Sequence, residues 1–187
     1  MRKIKGFKLP LRPHEVKRRA KKAGVDLEAA GLPEPVLLKF LDRAAKTLNP
    51  GVLFDTFAHP DPDVKLLSPM PGLAYSLVLA SLGEGFPSSL REKETAAPAA
   101  LWPVLEETAL DEAVRFATNL LADDAEKDNC ELSPLNALSA PDALEAAVRK
   151  LDGAKLGVAL DGGRLSPAAS LCVSLSWLAK SKAKGRK

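Results

Sequence analysis

The segment from residue 73 to 82 constrains the fold most strongly, because it is an almost uninterrupted run of apolar side chains. Its sequence is Leu-Ala-Tyr-Ser-Leu-Val-Leu-Ala-Ser-Leu, and Gly83 follows it. The run is short, and no residue that commonly caps a helix precedes it. This length and composition predict a buried strand rather than a helix. The chain is therefore expected to contain a sheet with at least one strand in its interior.

A long alanine-rich segment predicts the main helix. From about residue 103 to 126, apolar side chains recur at the spacing of one helix face; these are Leu105, Ala109, Ala113, Phe116, Ala117 and Leu120. Residues 12–23 and 34–48 predict two shorter helices, each with a proline in its first turn. Ser139 and Asp142 match a capping box, so a further helix is predicted from there to residue 151.

The remaining segments complete the predicted fold. Residues 127–138 break the helical pattern and predict a loop. The turn sequence Asp161-Gly162-Gly163, between residues 156–160 and the segment that ends in the apolar run 171–177, predicts a β-hairpin. We predict one α+β domain at residues 12–179: an antiparallel, curved sheet with a C-terminal β-hairpin, packed against several helices including the long alanine-rich one. A basic arm or edge strand (1–11) precedes the domain, and a basic disordered tail (180–187) follows it.

The charge distribution bears on partners and location. Residues 1–22 contain ten lysines and arginines and one acid, and residues 180–187 contain five with no acid. Such ends can bind nucleic-acid phosphates, but these are short and almost free of aromatic side chains, which favours solubilising tails over nucleic-acid binding. No apolar run reaches the roughly 18 residues that cross a bilayer, and charged residues follow the basic N-terminus where a signal peptide would be apolar. We expect a cytoplasmic protein with no membrane partner.

Few patterns indicate a catalytic or metal site. His59, Asp61 and Asp63 are metal-ligand types, but they lie on one proline-rich extended segment, residues 57–63, which favours a solvated loop. Gly83-Glu84-Gly85 lacks the further residues of a nucleotide-binding loop, and the chain has no Gly-x-Ser-x-Gly motif. We therefore predict no metal site, and the patterns identify no catalytic residue.

From residue 12 to 177, the order of elements resembles the activation domain of vitamin B12-dependent methionine synthase and its stand-alone bacterial relatives. Residues 75–83 end in Ser-Leu-Gly, similar to the Thr-Leu-Gly that ends a strand of that family, and a long alanine-rich helix follows. The internal glutamate of that helix corresponds here to Glu112. Residues 155–160 (Lys-Leu-Gly-Val-Ala-Leu) and 166–174 (Ser-Pro-Ala-Ala-Ser-Leu-Cys-Val-Ser) resemble the closing hairpin of the family.

The resemblance implies a role in corrinoid-dependent methyl transfer. In the family, oxidised cobalamin is reactivated by reductive methylation with S-adenosylmethionine. For this chain it implies that cobalamin arrives on a partner, either a corrinoid protein or methionine synthase modules that lack their own activation domain. It also implies a cofactor-binding cleft formed by the long helix, the loop after it and the last strand region: Glu112, Asn129, Ser133, Pro134, Asn136, Ser166 and Ser170.

One difference from the family leads to an alternative interpretation. Family members that bind S-adenosylmethionine carry Arg-x-x-x-Gly-Tyr-Pro before the last helix, whereas residues 128–134 of this chain read Asp-Asn-Cys-Glu-Leu-Ser-Pro. The alternative is a non-catalytic protein-interaction module that keeps the fold without the cofactor. The chain takes part in an enzymatic reaction only under the first interpretation.

Overall fold

The computed structural model describes residues 1–92 and 97–180. Within these residues the strands are β1 (Arg2–Lys5), β2 (Gly51–Ala58), β3 (Ala74–Ser81), β4 (Cys130–Leu132), β5 (Asn136–Ala137), β6 (Ala159–Asp161), β7 (Arg164–Ser166) and β8 (Ser170–Ala179). The helices are α1 (Pro13–Lys22), α2 (Glu34–Thr47), α3 (Val64–Leu67), α4 (Ser88–Arg91), α5 (Leu101–Lys127) and α6 (Pro141–Lys150), with a 3₁₀ turn at Gly153–Leu156. The predicted tail, apart from Lys180, lies outside the described residues.

An antiparallel sheet forms the centre of the fold. Its order is β1-β2-β3-β8, and β4 and β5 both pair with the outer edge of β8. β3 is the strand predicted at residues 73–82, and it pairs over its whole length with β2 on one side and β8 on the other. Seven of its eight residues are buried, which explains why its sequence is apolar almost without interruption. The α+β class with an antiparallel sheet is confirmed.

Helices cover both faces of the sheet. Successive side chains of a strand point to opposite faces, and here the apolar side chains on each face pack against helices. On one face, Phe54, Val78 and Val173 belong to a core shared with α1, α2 and α5. On the other face, Leu53 and Leu79 pack with α3, α6 and the 3₁₀ turn in a second core. Each large apolar side chain buried in this way contributes about 1.5–3 kcal/mol to folding before entropy is counted. A groove lies on the face covered by α5.

The predicted alanine-rich helix is α5. Its small residues Ala109, Ala113 and Ala117 are fully buried, so the helix backbone can approach the sheet closely. Ion pairs hold it at two levels: Arg19 of α1 binds Asp111, and Arg2 of β1 binds Asp124. α1 also packs on α5, so α5 has buried residues around much of its circumference. α5 is thus held by the sheet, by α1 and by ion pairs, so side chains along it have fixed positions.

The predicted tight turn is also present. Gly162 and Gly163 connect β6 to β7 with φ values of 56° and 78°. Two successive positive φ angles are the signature of a type I′ turn, which glycine adopts without strain. The hairpin forms a separate two-stranded sheet, and the following apolar run becomes β8 of the main sheet. β8 packs against α5, so a site beside α5 has β8 as one of its walls.

Three local predictions are corrected by the structure. Residues 127–138, predicted as a loop, contain β4 and β5, and the segment 57–63 begins with the last two residues of β2. β4 and β5 are too short to show an alternating pattern, and they become strands because they pair with β8. The predicted capping box is wrong: α6 begins after Ala140, and no side chain caps it. Pro141 at the first helical position has no N–H to cap.

No helix within residues 1–92 and 97–180 combines the length and the apolar character needed to cross a bilayer.

Candidate ligand-binding groove

A groove of about 580 Å³ lies between α5 and the sheet edge that β5 and β8 form. Its walls come from α1, α5 and the sheet edge: Glu15, Arg19, Thr108, Asp111, Glu112, Val114, Arg115, Thr118, Asn119, Leu135, Ala137, Leu171 and Val173. The helices supply charged and hydroxyl side chains, whereas the sheet edge supplies apolar ones. Pockets that bind small organic molecules have volumes of roughly 300–1,000 Å³ and combine these two kinds of wall. The groove is therefore suited to a small molecule with both charged and apolar parts.

Glu112 is the buried carboxylate of the groove. Its side chain is 7% exposed, and the guanidinium of Arg115, one turn further along α5, binds its Oε1 atom. Arg12, just before α1, also lies near Oε1, at 3.6 Å from its Nε. A buried carboxylate requires such cationic or hydrogen-bonding partners, because desolvation of an isolated charge is costly. Glu112 is thus a charged group held in place by two half-exposed arginines.

Arg19 holds together the other carboxylates near the groove. Its Nη1 lies 2.7 Å from Glu107 Oε1, its Nε lies 3.9 Å from Glu15 Oε2, and it also binds Asp111. Burial alone would lower the pKa of the Arg19 guanidinium, but the carboxylates of Asp111 and Glu107 raise this pKa above its ordinary value. Arg19 therefore remains charged, and three acids of its own chain, Glu15, Glu107 and Asp111, lie around its guanidinium.

A β-bulge shapes the sheet side of the groove. Leu132 pairs with Trp177 and Asn136 with Ser174, so three residues of the edge strand stand opposite two of β8. Ser133 bridges the irregularity: its Oγ accepts a hydrogen bond from the N–H of Ser176 at 2.9 Å and donates to the carbonyl of Pro134 at 3.0 Å. Bulges re-aim neighbouring side chains. Here Leu135, which is 52% exposed, becomes part of the groove wall.

Replacing Ser133 with alanine is expected to lower the free energy of unfolding by about 1–2 kcal/mol, because the buried N–H of Ser176 loses its acceptor. Urea unfolding of the variant measures this change. Ser139→Ala is the matched control: Ser139 is exposed and does not cap α6, so its loss should change stability by less than about 0.5 kcal/mol. Equal effects of the two substitutions would contradict the role of the Ser133 hydroxyl.

The structure brings Glu112 into the groove and places three other predicted residues at its border. Ser133 and Pro134 belong to the bulge. Asn136 lies between two groove-lining residues of the edge strand, but its Nδ2 atom donates to Ser174 Oγ at 3.2 Å on the other face of the sheet. The bulge and β5 therefore contribute to the groove through Leu135 and Ala137 rather than through these polar side chains.

The other three predicted residues lie outside the groove. Asn129 follows the end of α5 with φ at 59°, and its carbonyl accepts a hydrogen bond from the N–H of Lys180 at 3.1 Å. Ser166 is the last residue of β7 in the hairpin. Ser170 begins β8, where its hydroxyl donates to Ser81 Oγ at 3.0 Å. In the structure these residues belong to a helix end, a hairpin and a strand pair, and they do not line the groove with Glu112.

Several groove residues were not named from the sequence. Arg115 is the most important of them, and a signal for it exists: it lies three residues after Glu112, and residues at this spacing share a helix face. Leu135, Leu171 and Val173 fall within the loop and the last strand region that the resemblance assigns to the cleft, but no local pattern singles them out. Their position beside α5 depends on the bulge and on the placement of β8 at this edge of the sheet.

A second cluster of charged residues lies on the opposite face of the sheet. Lys150 Nζ of α6 lies 2.7 Å from Asp61 and 3.4 Å from Asp63, and Arg149 lies 3.1 Å from Asp63. The segment 57–63, predicted as a solvated loop, is therefore fixed to α6 by ion pairs. Among the described residues, no group of three or more histidine, cysteine, aspartate or glutamate side chains is arranged to hold a metal ion.

The protonation states in this cluster suit a structural role. Burial alone would raise the pKa of Asp61, but hydrogen bonds from Lys150 and from the backbone N–H of Asp63 lower it below its ordinary value. Tyr75 is fully buried, and burial together with the nearby charge of Asp61 raises the pKa of its hydroxyl. The carboxylate stays charged and the phenol neutral near pH 7. The cluster anchors α6, whereas the groove beside α5 offers a place for a ligand.

Comparison of the sequence with models of known protein families finds no match, and comparison with curated proteins finds none either. The geometry of the groove and the resemblance of residues 12–177 are therefore the basis for a functional proposal. The features that matter are an apolar sheet wall, a buried carboxylate and a half-exposed guanidinium beside it.

Proposed function

We propose that this chain is an accessory protein of corrinoid-dependent methyl transfer, in which the groove beside α5 binds S-adenosylmethionine and a partner protein delivers cobalamin. The position of Glu112 supports this proposal most strongly. It is a buried carboxylate in a groove bounded by α5, the edge segment 133–137 and β8. The resemblance to the activation domain implies a cofactor cleft built from these same regions. When bound, S-adenosylmethionine would supply the methyl group for the reductive methylation of cobalamin and leave as S-adenosylhomocysteine, with the required electron coming from a separate electron-donor protein.

The residues of the groove fit a ligand of this kind. A volume of about 580 Å³ is sufficient for a nucleoside-sized molecule with an amino-acid side arm. The Glu112 carboxylate can face the cationic amino group of the ligand, and Leu171 and Val173 can pack against its apolar parts. The Arg-x-x-x-Gly-Tyr-Pro pattern of the family is absent, and the bulge at residues 133–135 borders the groove instead.

The contribution of the protein under this proposal is positioning. Holding two reactants in the correct geometry lowers the entropic part of the barrier, and this requires a rigid support. The ion pairs of Arg19 with Asp111 and of Arg2 with Asp124 fix α5 relative to α1 and the sheet, so Glu112 lies on a helix that is held at two levels. Leu135, half-exposed at the groove border, offers an apolar contact to a partner that carries cobalamin.

Calorimetric titration of the intact chain with S-adenosylmethionine tests the proposal. We expect saturable binding, which Glu112→Gln weakens about tenfold or more, because a charge-assisted hydrogen bond to the amino group of the ligand is lost. Glu131→Gln, an exposed acid on β4 outside the groove, is the matched control and should leave the affinity unchanged. Unfolding curves of both variants verify that the fold is retained.

A second titration uses a cobalamin-loaded carrier domain of a corrinoid methyltransferase. Binding of the carrier by the wild-type chain is the expected result. Absence of binding in both titrations, verified by equilibrium dialysis, would contradict the proposed function.

The second candidate is a non-catalytic interaction module, and one observation favours it. The Glu112 carboxylate is already in contact with Arg115 and lies close to Arg12, so the charge of the groove is balanced without a ligand. Under this interpretation the groove region docks a partner protein directly. A pull-down with the intact chain distinguishes the two: recovery of a corrinoid methyltransferase without S-adenosylmethionine binding would favour the interaction module.

A further inference from the structure

The exposure of Arg115 sets it apart from Arg19, the other arginine that lines the groove. The Arg115 side chain is 46% exposed, whereas Arg19 is 16% exposed and contacts Glu15, Glu107 and Asp111. A guanidinium carries five N–H donors in a planar fork. The contact of Arg115 with Glu112 engages its Nη2 atom, which leaves further donors of the fork for a group in the groove.

Glu112 determines where these donors lie. It is buried on the same face of α5, three residues earlier, and its carboxylate holds the Arg115 guanidinium at the groove wall. A long side chain that is already fixed loses less entropy when it binds a ligand. Arginine also matches a carboxylate with two parallel hydrogen bonds, which a lysine cannot do. Arg115 is therefore a preorganised site for an anionic group.

Other groove residues agree with this assignment. The remaining carboxylates, Glu15 and Asp111, are bound by Arg18 or Arg19, so they do not compete for Arg115 among the described contacts. Asn119, which is one turn of α5 beyond Arg115, lines the same wall with an amide. An anion at Arg115 thus meets a donor fork and a neutral polar neighbour.

We infer that Arg115, positioned by Glu112, binds the carboxylate of the ligand, so that the Glu112–Arg115 pair selects a molecule with an α-amino-acid group over a simple amine. This inference rests on the proposed function and names the ligand group that the site recognises. Glu112 accepts from the ammonium, and Arg115 donates to the carboxylate. The apolar wall formed by Leu171 and Val173 takes the rest of the molecule.

The test compares two probes on the intact chain by calorimetry: S-adenosylmethionine and its decarboxylated analogue, which keeps the amine and the sulfonium but lacks the carboxylate. Wild type should bind S-adenosylmethionine at least about tenfold more tightly than the analogue. Arg115→Gln should weaken S-adenosylmethionine binding by a similar factor and should affect binding of the analogue much less, so that the preference of the chain for S-adenosylmethionine disappears. Arg115→Lys, which keeps the charge without the fork, should recover part of the loss.

Lys127→Gln is the matched control, because Lys127 lies on α5 far from the groove, is 73% exposed and also pairs with an acid three residues earlier. Equal affinity of wild type for both probes would overturn the inference without any variant, and so would an unchanged affinity of Arg115→Gln for S-adenosylmethionine. In those cases the proposed function survives. If wild type binds neither probe, both the inference and the S-adenosylmethionine part of the proposed function are overturned.

Discussion

Replacement of Lys150 with methionine is expected to lower the free energy of unfolding by about 3 kcal/mol, because it leaves a buried carboxylate without its cation. Lys150 Nζ lies 2.7 Å from Asp61, and the two side chains are 15% and 10% exposed. Methionine keeps most of the apolar stem, so the loss reports mainly on the ammonium group, which also lies 5.0 Å from the centroid of the Phe57 ring. Chemical denaturation at pH 7 measures it.

The control and the pH dependence make this prediction specific. Lys155→Met removes the cation of an exposed pair with Asp152 and should cost less than about 1 kcal/mol. The pKa of Asp61 is lowered in the folded state, so the stability that its charge contributes is present above the ordinary carboxyl pKa of about 3.9 and is lost as the pH falls through the lowered pKa. The stability difference between wild type and Asp61→Asn should therefore shrink on acidification. A constant difference would contradict this.

Trp177→Ala is expected to destabilise the chain by about 4 kcal/mol, the usual cost of removing a buried tryptophan. Trp177 is 6% exposed and packs with Ala125 of α5 and Cys130 of β4. Its indole Nε1 donates to Ser76 Oγ of β3 at 2.7 Å. The side chain therefore connects β8, which supplies one wall of the groove, to its neighbouring strands and to α5. Thermal or urea unfolding provides the measurement.

Trp177→Phe separates packing from hydrogen bonding at this position. Phenylalanine keeps most of the apolar contact and loses the indole N–H, so we expect a loss of about 1–2 kcal/mol. The Ser76 hydroxyl retains Thr56 as a partner, at 2.7 Å, which limits the cost. If alanine and phenylalanine destabilised the chain equally, the packing of Trp177 would not explain the effect.

The candidate site was only partly predictable from the sequence. Glu112 was named from the resemblance to the activation-domain family, because no local pattern separates it from the other acids of α5. Arg115 could have been named from its spacing on the same helix. The resemblance assigns Ser133 to the cofactor cleft, and in the structure its hydroxyl accepts a hydrogen bond from the backbone of Ser176, 43 residues away. Such a contact depends on the register between two strands. No local pattern encodes that register when one strand is only three residues long.

The sequence alone determined the elements with strong local patterns: the buried strand β3, the long helix α5, and the Gly162–Gly163 turn, whose positive φ angles suit glycine. Local patterns suffice there because burial periodicity and backbone freedom are properties of a short segment. Only the tertiary structure decided that β4 and β5 are strands, that Lys150 neutralises Asp61, and that Leu135 and Val173 share a groove with Glu112. These features arise when distant segments meet, and their energy comes from pairing and burial that the isolated segments cannot have.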